Sequence, residues 1–212
     1  MPETTNFARY PSLSGAVVVI TGGGSGIGAC MVREFMAQGA RVAFLDFDRA
    51  AGEAVAKETG ALFLFCDLRD IPSLRAAIAE VKAQLGPVQV LVNNAARDDR
   101  HGLETVEPDY WDERMHTNLR HQFFCAQAVA EDMKAARRGS IINMGSVSWM
   151  KAQGGMPAYT AAKSAVRGLT RGLARDLGGF GVRVNEEARM MLADGGRAAN
   201  VWAAGEIMAG NV

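Results

Sequence analysis

Ser146, Tyr159 and Lys163 stand in the run Ser146-Val-Ser148…Tyr159-Thr-Ala-Ala-Lys163. A free phenol titrates near pH 10, so tyrosine alone is a poor base at neutral pH. A lysine one helical turn away puts a cation on the same face and favours the phenolate. A serine nearby can hold the oxygen that reacts. Together the three side chains can move a proton to or from a carbonyl oxygen. Upstream lies a glycine loop, Thr21-Gly22-Gly23-Gly24-Ser25-Gly26-Ile27-Gly28. Its glycines let a backbone approach a pyrophosphate, and a helix starting near Gly26 offers free N–H groups and a positive dipole end. A proton-transfer group downstream of a dinucleotide loop points to hydride transfer between an alcohol and a nicotinamide.

Further residues complete the cofactor reading. Gly22, Ser25, Gly26 and Ile27 form the turn and the helix start. The loop spacing, Gly-x3-Gly-x-Gly, differs by one residue from the commonest dinucleotide fingerprint. Asp46 ends the second predicted strand, where an acid takes the ribose 2′-hydroxyl and repels a 2′-phosphate, so NAD is expected over NADP. Asp67, with Leu68 beside it, follows the third strand and can accept from the adenine amino group. Asn93 ends the fourth strand, and Ala95 leaves room for a ribose. Tyr159 and Lys163 also face the nicotinamide ribose, and Asn118 can hold a water that links Lys163 to solvent.

These residues need a frame that brings them together. Short apolar, β-branched runs fall at 16–20, 42–45, 62–65, 88–92, 140–144 and 182–184. Helical patterns lie between them at 27–38, 49–58, 73–85, 109–137 and 157–177. Strict alternation predicts an α/β fold, a doubly wound parallel sheet of the Rossmann type in a single domain spanning 1–212. Ligands of such sheets bind beyond the carboxyl ends of the strands, where every motif above falls.

Composition narrows the class. Lys plus Arg and Asp plus Glu both number 23, so the net charge of zero argues against nucleic acid or an anionic membrane as partner. No apolar stretch is long enough to span a bilayer, and no signal peptide is indicated. Cys30, Cys66 and Cys125 fall in apolar patterns without metal-ligand spacing, and are expected to be reduced core thiols of a cytoplasmic protein with no metal site.

The motifs resemble the short-chain dehydrogenase/reductase family. Thr21-Gly-x3-Gly-Ile-Gly28, Asp67, Asn93-Asn94-Ala95, Asn118, Ser146, Tyr159-x3-Lys163 and Arg183-Val184-Asn185 match in order over residues 13–185. The resemblance implies Ser146, Tyr159 and Lys163 as a catalytic triad with Asn118 as fourth member. It also implies a homotetramer paired through the two long helices, whose Ala126, Ala128, Ala161, Ala165 and Leu169 leave a face under-charged for open water. The segments Asp98-Asp99-Arg100-His101, Trp111-Asp-Glu-Arg114 and Asn118-Leu-Arg-His121 look like a subgroup that oxidises the anomeric carbon of free sugars to lactones. Within that likeness Arg100, Ser148, Trp149 and Gln153 become candidate substrate contacts, because each buried sugar hydroxyl needs a partner. Two other readings stand beside it: a dinucleotide-binding protein without turnover, and a reductase of a 3-oxoacyl or steroid-type substrate.

The pattern breaks after Asn185. The family's Pro-Gly turn and substrate lid are missing, and residues 186–192 look like a later helix joined directly to the sixth strand. The ending, 202–212, shows no clear final strand. Residues 186–212 are therefore expected to be atypical.

Overall fold

Val17–Thr21, apolar or β-branched throughout, forms β1, and all five residues are buried. Burial on both faces is what a parallel strand covered by helices on either side requires. The computed structural model describes residues 8–191 and 197–204. From β1 the chain alternates: α1 (Gly26–Ala37), β2 (Arg41–Asp46), α2 (Arg49–Thr59), β3 (Leu62–Phe65), α3 (Ile71–Leu85) and β4 (Val90–Asn93). Then follow α4 (Pro108–Met115), α5 (His121–Ala135), β5 (Gly139–Met144), α6 (Pro157–Gly178), β6 (Val182–Met191) and β7 (Arg197–Ala204). The sheet order is β3-β2-β1-β4-β5-β6-β7. The first six strands run parallel and β7 pairs antiparallel to β6.

Two apolar layers hold the helices on. Val32 of α1 and Val55 of α2 pack with Ile20 and Phe44 on one face of the sheet. Leu74 and Ile78 of α3, Val129 and Met133 of α5 and Leu177 of α6 pack with Val19 and Ile141 on the other. The strand order reverses between β1 and β4, so their carboxyl ends part and open a crevice at that switch point.

The six expected strands and the helices between them are present, with four corrections. The expected helix over 109–137 is α4 and α5 joined by a single π turn, His116–Arg120. Such wide turns recur at functional sites, and this one carries Asn118. α3 starts at Ile71, because Pro72 in its first turn has no N–H to lose there. The helix expected over 186–192 is strand as far as Met191, since 187–191 align with 197–204 of β7 rather than closing on themselves. That same pairing supplies the final strand the sequence did not show, while 205–212 lie outside the described residues. Cys66 and Cys125 are buried thiols, but Cys30 is exposed, because the buried stripe of α1 runs through Gly28, Ala29 and Val32. Among the described residues no helix is long and apolar enough to cross a membrane.

Candidate active site

The crevice is a cavity of about 560 Å³ between the glycine loop, the ends of β2, β3 and β4, and α6. Gly22 opens it with φ +69, and its N–H donates to the Leu45 carbonyl at 2.7 Å. A side chain there would lie 2.9 Å from the Ala95 backbone, so the turn and the end of β4 can sit together only with glycine. Ser25, Gly26 and Ile27 line the mouth at the start of α1. Ser25 makes no side-chain cap, and the first turn of α1 carries no acid. The helix thus presents its first N–H groups to the cavity with nothing local competing for them. Ile27, an apolar residue half-exposed at the rim, offers a flat face to a ring. A shaped hollow, uncapped amides and an apolar lip fit an extended anion carrying a planar base.

Asp46 lies at the far end, almost wholly buried. One carboxylate oxygen accepts from the Gly24 N–H at 2.8 Å and the other from the Asp48 N–H at 3.0 Å. The acid that faces the cavity therefore also shapes the glycine loop. Asp67 and Leu68 line the adjoining wall. Arg69 grips Asp67 at 2.7 Å and holds its carboxyl below the ordinary range. Asn93 does not line the cavity: fully buried, its amide donates to Asn143 at 2.9 Å and to the Gln122 carbonyl at 3.2 Å, tying β4 to β5 and α5. Asn94 faces the cavity instead, donating to the carbonyls of Thr21 and Gly22 at 3.0 and 3.1 Å.

The proton-transfer group closes the other end. Tyr159, on the first turn of α6, lines the cavity. Burial raises its phenol above the ordinary value, the Ser146 hydroxyl opposes that, and the Asp98 carboxylate adds to it. The Ser146 hydroxyl donates to Ser148 at 3.0 Å and accepts from the Ser148 N–H at 3.1 Å. Lys163 lies one turn along α6, 1% exposed, with Nζ 5.7 Å from the Tyr159 ring centre. Its ammonium donates to the Met144 carbonyl at 2.6 Å, at the end of β5. Burial lowers its pKa to about 8, against the pull of the Glu186 and Asp98 carboxylates. Glu186, buried on β6, is a site residue the sequence reading missed. It stands where the family pattern was expected to turn, and only strand pairing with β5 could have placed it.

Asn118 sits at the centre of the π turn, fully buried. Its oxygen accepts from the Arg97 N–H at 2.9 Å, and its nitrogen donates to the carbonyls of Arg97 at 3.1 Å and Arg114 at 3.0 Å. The side chain expected to hold a water is committed instead to clamping the loop after β4. The substrate candidates lie around that loop. Arg100 donates to the Gln153 amide oxygen at 2.9 Å, joining two exposed rim segments. Ser148 is buried behind Ser146, and the buried indole N–H of Trp149 has no partner among the described residues. None of the four lines the cavity that holds the glycine loop and Tyr159.

His121, the first residue of α5, is fully buried, and among the described residues neither ring nitrogen reaches a good hydrogen-bond partner. Burial, helped by the Lys163 ammonium, pushes its pKa down to about 3, with the backbone of His116 and Thr117 weakly opposing. The unfolded chain therefore binds a proton between pH 6.5 and about 3 that the folded chain refuses. Stability should be full above pH 6.5 and fall on acidification, by about 2 kcal/mol between pH 7 and pH 5. Urea unfolding at those two pH values should show this loss in the parent and a smaller one in His121→Gln. Equal losses would show that His121 stays charged in the fold.

Residues 16–193 match the family model for short chain dehydrogenases. The chain is similar to a probable galactose dehydrogenase of Rhizobium meliloti strain 1021, 48% identical over 184 residues, covering 84% of this chain and 72% of the relative. It is similar to a D-xylose 1-dehydrogenase of Caulobacter vibrioides, 47% identical over 182 residues, covering 84% and 72%. A solved metagenomic short-chain oxidoreductase in complex with NADP superposes with a TM-score of 0.79 at 36% identity, covering 82% of each chain. With its glycine loop and its Ser-Tyr-Lys group on one crevice, the chain belongs to the short-chain dehydrogenases, oxidoreductases that bind a nicotinamide dinucleotide.

Proposed function

We propose that this protein oxidises the anomeric hydroxyl of a free sugar to a lactone, using NAD. The observation that carries the reading is that Tyr159, with Ser146 and Lys163 beside it, opens on the same cavity as the glycine loop. The likeness to galactose and xylose dehydrogenases supports a sugar as substrate. Gly22, Ser25, Gly26 and Ile27 would hold the pyrophosphate, Asp46 the adenosine ribose, Asp67 and Leu68 the adenine, and Ala95, Tyr159 and Lys163 the nicotinamide ribose. Bound there, the dinucleotide supplies the hydride acceptor. Ser146 donates to the reacting oxygen and orients it. The Tyr159 oxygen takes the hydroxyl proton, and the Lys163 ammonium favours the ionised phenol. The ammonium of Lys163 releases one of its own protons to solvent and takes up the one the phenol has gained, while Asn118 holds the loop beside it.

Tyr159→Phe should keep the ring packing and remove the proton acceptor. Turnover should fall by about 10²–10⁴-fold, with cofactor affinity nearly unchanged. The check is NADH formation with an aldose panel, beside fluorescence titration of cofactor. A Phe variant that keeps more than a tenth of parental turnover would contradict the assignment.

NAD is the preferred cofactor on this reading, with Asp46 the cause. Two like charges at about 4 Å cost on the order of 4 kcal/mol at an effective dielectric of about 20. Even a quarter of that, about 1 kcal/mol after screening, favours NAD several-fold. The cation that could offset a 2′-phosphate, Arg49, lies over the Phe65 ring at 4.5 Å with an exposed guanidinium. The NADP-bound neighbour argues for the other cofactor, so kcat/KM with each is the deciding measurement. Asp46→Ala also frees the Gly24 N–H and should weaken both cofactors, NAD more. Equal efficiency in the parent would refute the role given to Asp46.

The same reading takes the protein to be a cytoplasmic homotetramer. On α6 Ala161, Ala165, Gly168 and Gly172 are exposed at helical spacing, and Phe123 is exposed on α5. A smooth strip of small residues lets a second helix approach closely. Equilibrium sedimentation should give a species near four times 22.6 kDa at micromolar concentration. A 22.6 kDa species alone would exclude it.

A further inference from the structure

Asp98 is a carboxylate to which the mechanism gives no contact with the substrate. It lines the cavity beside Tyr159. Its charge raises the pKa of a phenol that must ionise. The same charge favours the Lys163 ammonium, so its effect on the proton-transfer pair is divided and leaves the carboxylate open to a role toward substrate. Its neighbours show that the position is built. Arg97, just before it, is clamped through both its N–H and its carbonyl by Asn118. Asp99, just after it, accepts from the buried Arg114 guanidinium at 2.6 Å and from the Tyr110 hydroxyl at 3.2 Å. The His101 N–H donates to the Gly155 carbonyl, and the His101 ring accepts from the Ala158 N–H on α6, the residue before Tyr159. The loop is thus fastened to the helices that carry Asn118 and Tyr159 on either side of Asp98. The cations nearby are spent, Arg97 on Asp99 and Glu113 and Arg100 on Gln153. Among the described residues the Asp98 carboxylate accepts no hydrogen bond and forms no ion pair.

We propose that Asp98 is a specificity-determining residue that accepts a hydrogen bond from the hydroxyl on the carbon next to the reacting carbon. The inference rests on the sugar reading above. An ionised carboxylate can only accept. On a cyclic aldose the anomeric carbon has two neighbours, the ring oxygen and C2. The ring oxygen also only accepts, so the carboxylate can pair solely with the C2 hydroxyl. Asp98 therefore fixes which side of the sugar faces the loop after β4. It selects a substrate with a hydroxyl vicinal to the reacting one, and it disfavours simple secondary alcohols, which would leave a carboxylate desolvated and unpaired.

A cycle of substrate and side-chain deletions tests this. Parent, Asp98→Asn and Asp98→Ala are assayed for kcat/KM with NAD on galactose, xylose and their 2-deoxy counterparts, with thermal denaturation confirming the fold. In the parent, loss of the C2 hydroxyl should cost about 10–100-fold, the worth of a hydrogen bond to a charged group. In Asp98→Ala that gap should shrink to within about threefold, and in Asp98→Asn, whose amide oxygen still accepts but carries no charge, it should shrink part of the way, a coupling that a merely structural role would not produce. An unchanged gap in folded variants overturns the role of Asp98 and leaves the sugar reading intact. A parent that oxidises both sugars with no 2-deoxy penalty does the same. A parent that turns over neither sugar but does oxidise another alcohol overturns the sugar reading, and the role of Asp98 falls with it.

Discussion

The site is organised around one buried charge. Lys163 is 1% exposed, and an ammonium taken from water into a protein interior is costly unless partners surround it. The fold supplies them from different elements: the Met144 carbonyl at the end of β5, the Glu186 carboxylate on β6, and the Asp98 carboxylate on the loop after β4. The carbonyl and the loop arrive because β5 and β4 end where they do, and Glu186 because β6 runs on past that point. The parallel register of β5 and β6, Asn143 opposite Glu186, puts the acid beside the carbonyl that the lysine already holds. Gly145 leaves the space that the Glu186 side chain fills. The balance leaves the ammonium at about 8, poised near neutrality rather than locked in either form.

The π turn serves the same end. A regular helix over 108–135 would place Asn118 elsewhere on the surface of the cylinder. One wide turn directs its amide to the loop after β4, where it holds both polar groups of the Arg97 backbone. It also brings His121 under Lys163, where the imidazole can exist only neutral. A cation beside it would compete for the same partners, so the uncharged ring preserves the charge on the lysine. Rigid support for a proton-transfer group is what preorganisation demands.

Much of this was legible in residue order. β-branched runs and glycine stops located the six parallel strands, since period and punctuation are local properties. The glycine loop, Asp46, Tyr159 and Lys163 stand out in the sequence because their chemistry depends on spacing along one element, and the fold brings them to one cavity. What escaped depended on neighbours in space. Asn93 and Asn94 are indistinguishable in sequence, yet strand alternation turns the first into the core and the second toward the cavity. Asn118 was placed on the right helix, but the π turn that redirects it leaves no signature in composition. The run 186–192 has helical propensity on its own, which pairing with β5 and β7 overrides.

The two ends of the cavity are governed by carboxylates used in opposite ways. Asp46 is nearly buried and spends both oxygens on backbone N–H groups, so it is held in place by the loop it shapes. Asp98 is exposed and spends neither. The first can be a fixed part of the wall whatever enters; the second is stable only because water solvates it. A ligand that closes the cavity removes that water, so it must replace the lost hydrogen bonds or leave the charge stranded. On the proposed reading the end at Asp46 selects its ligand mainly by repulsion, and the end at Asp98 by the cost of an unanswered acceptor.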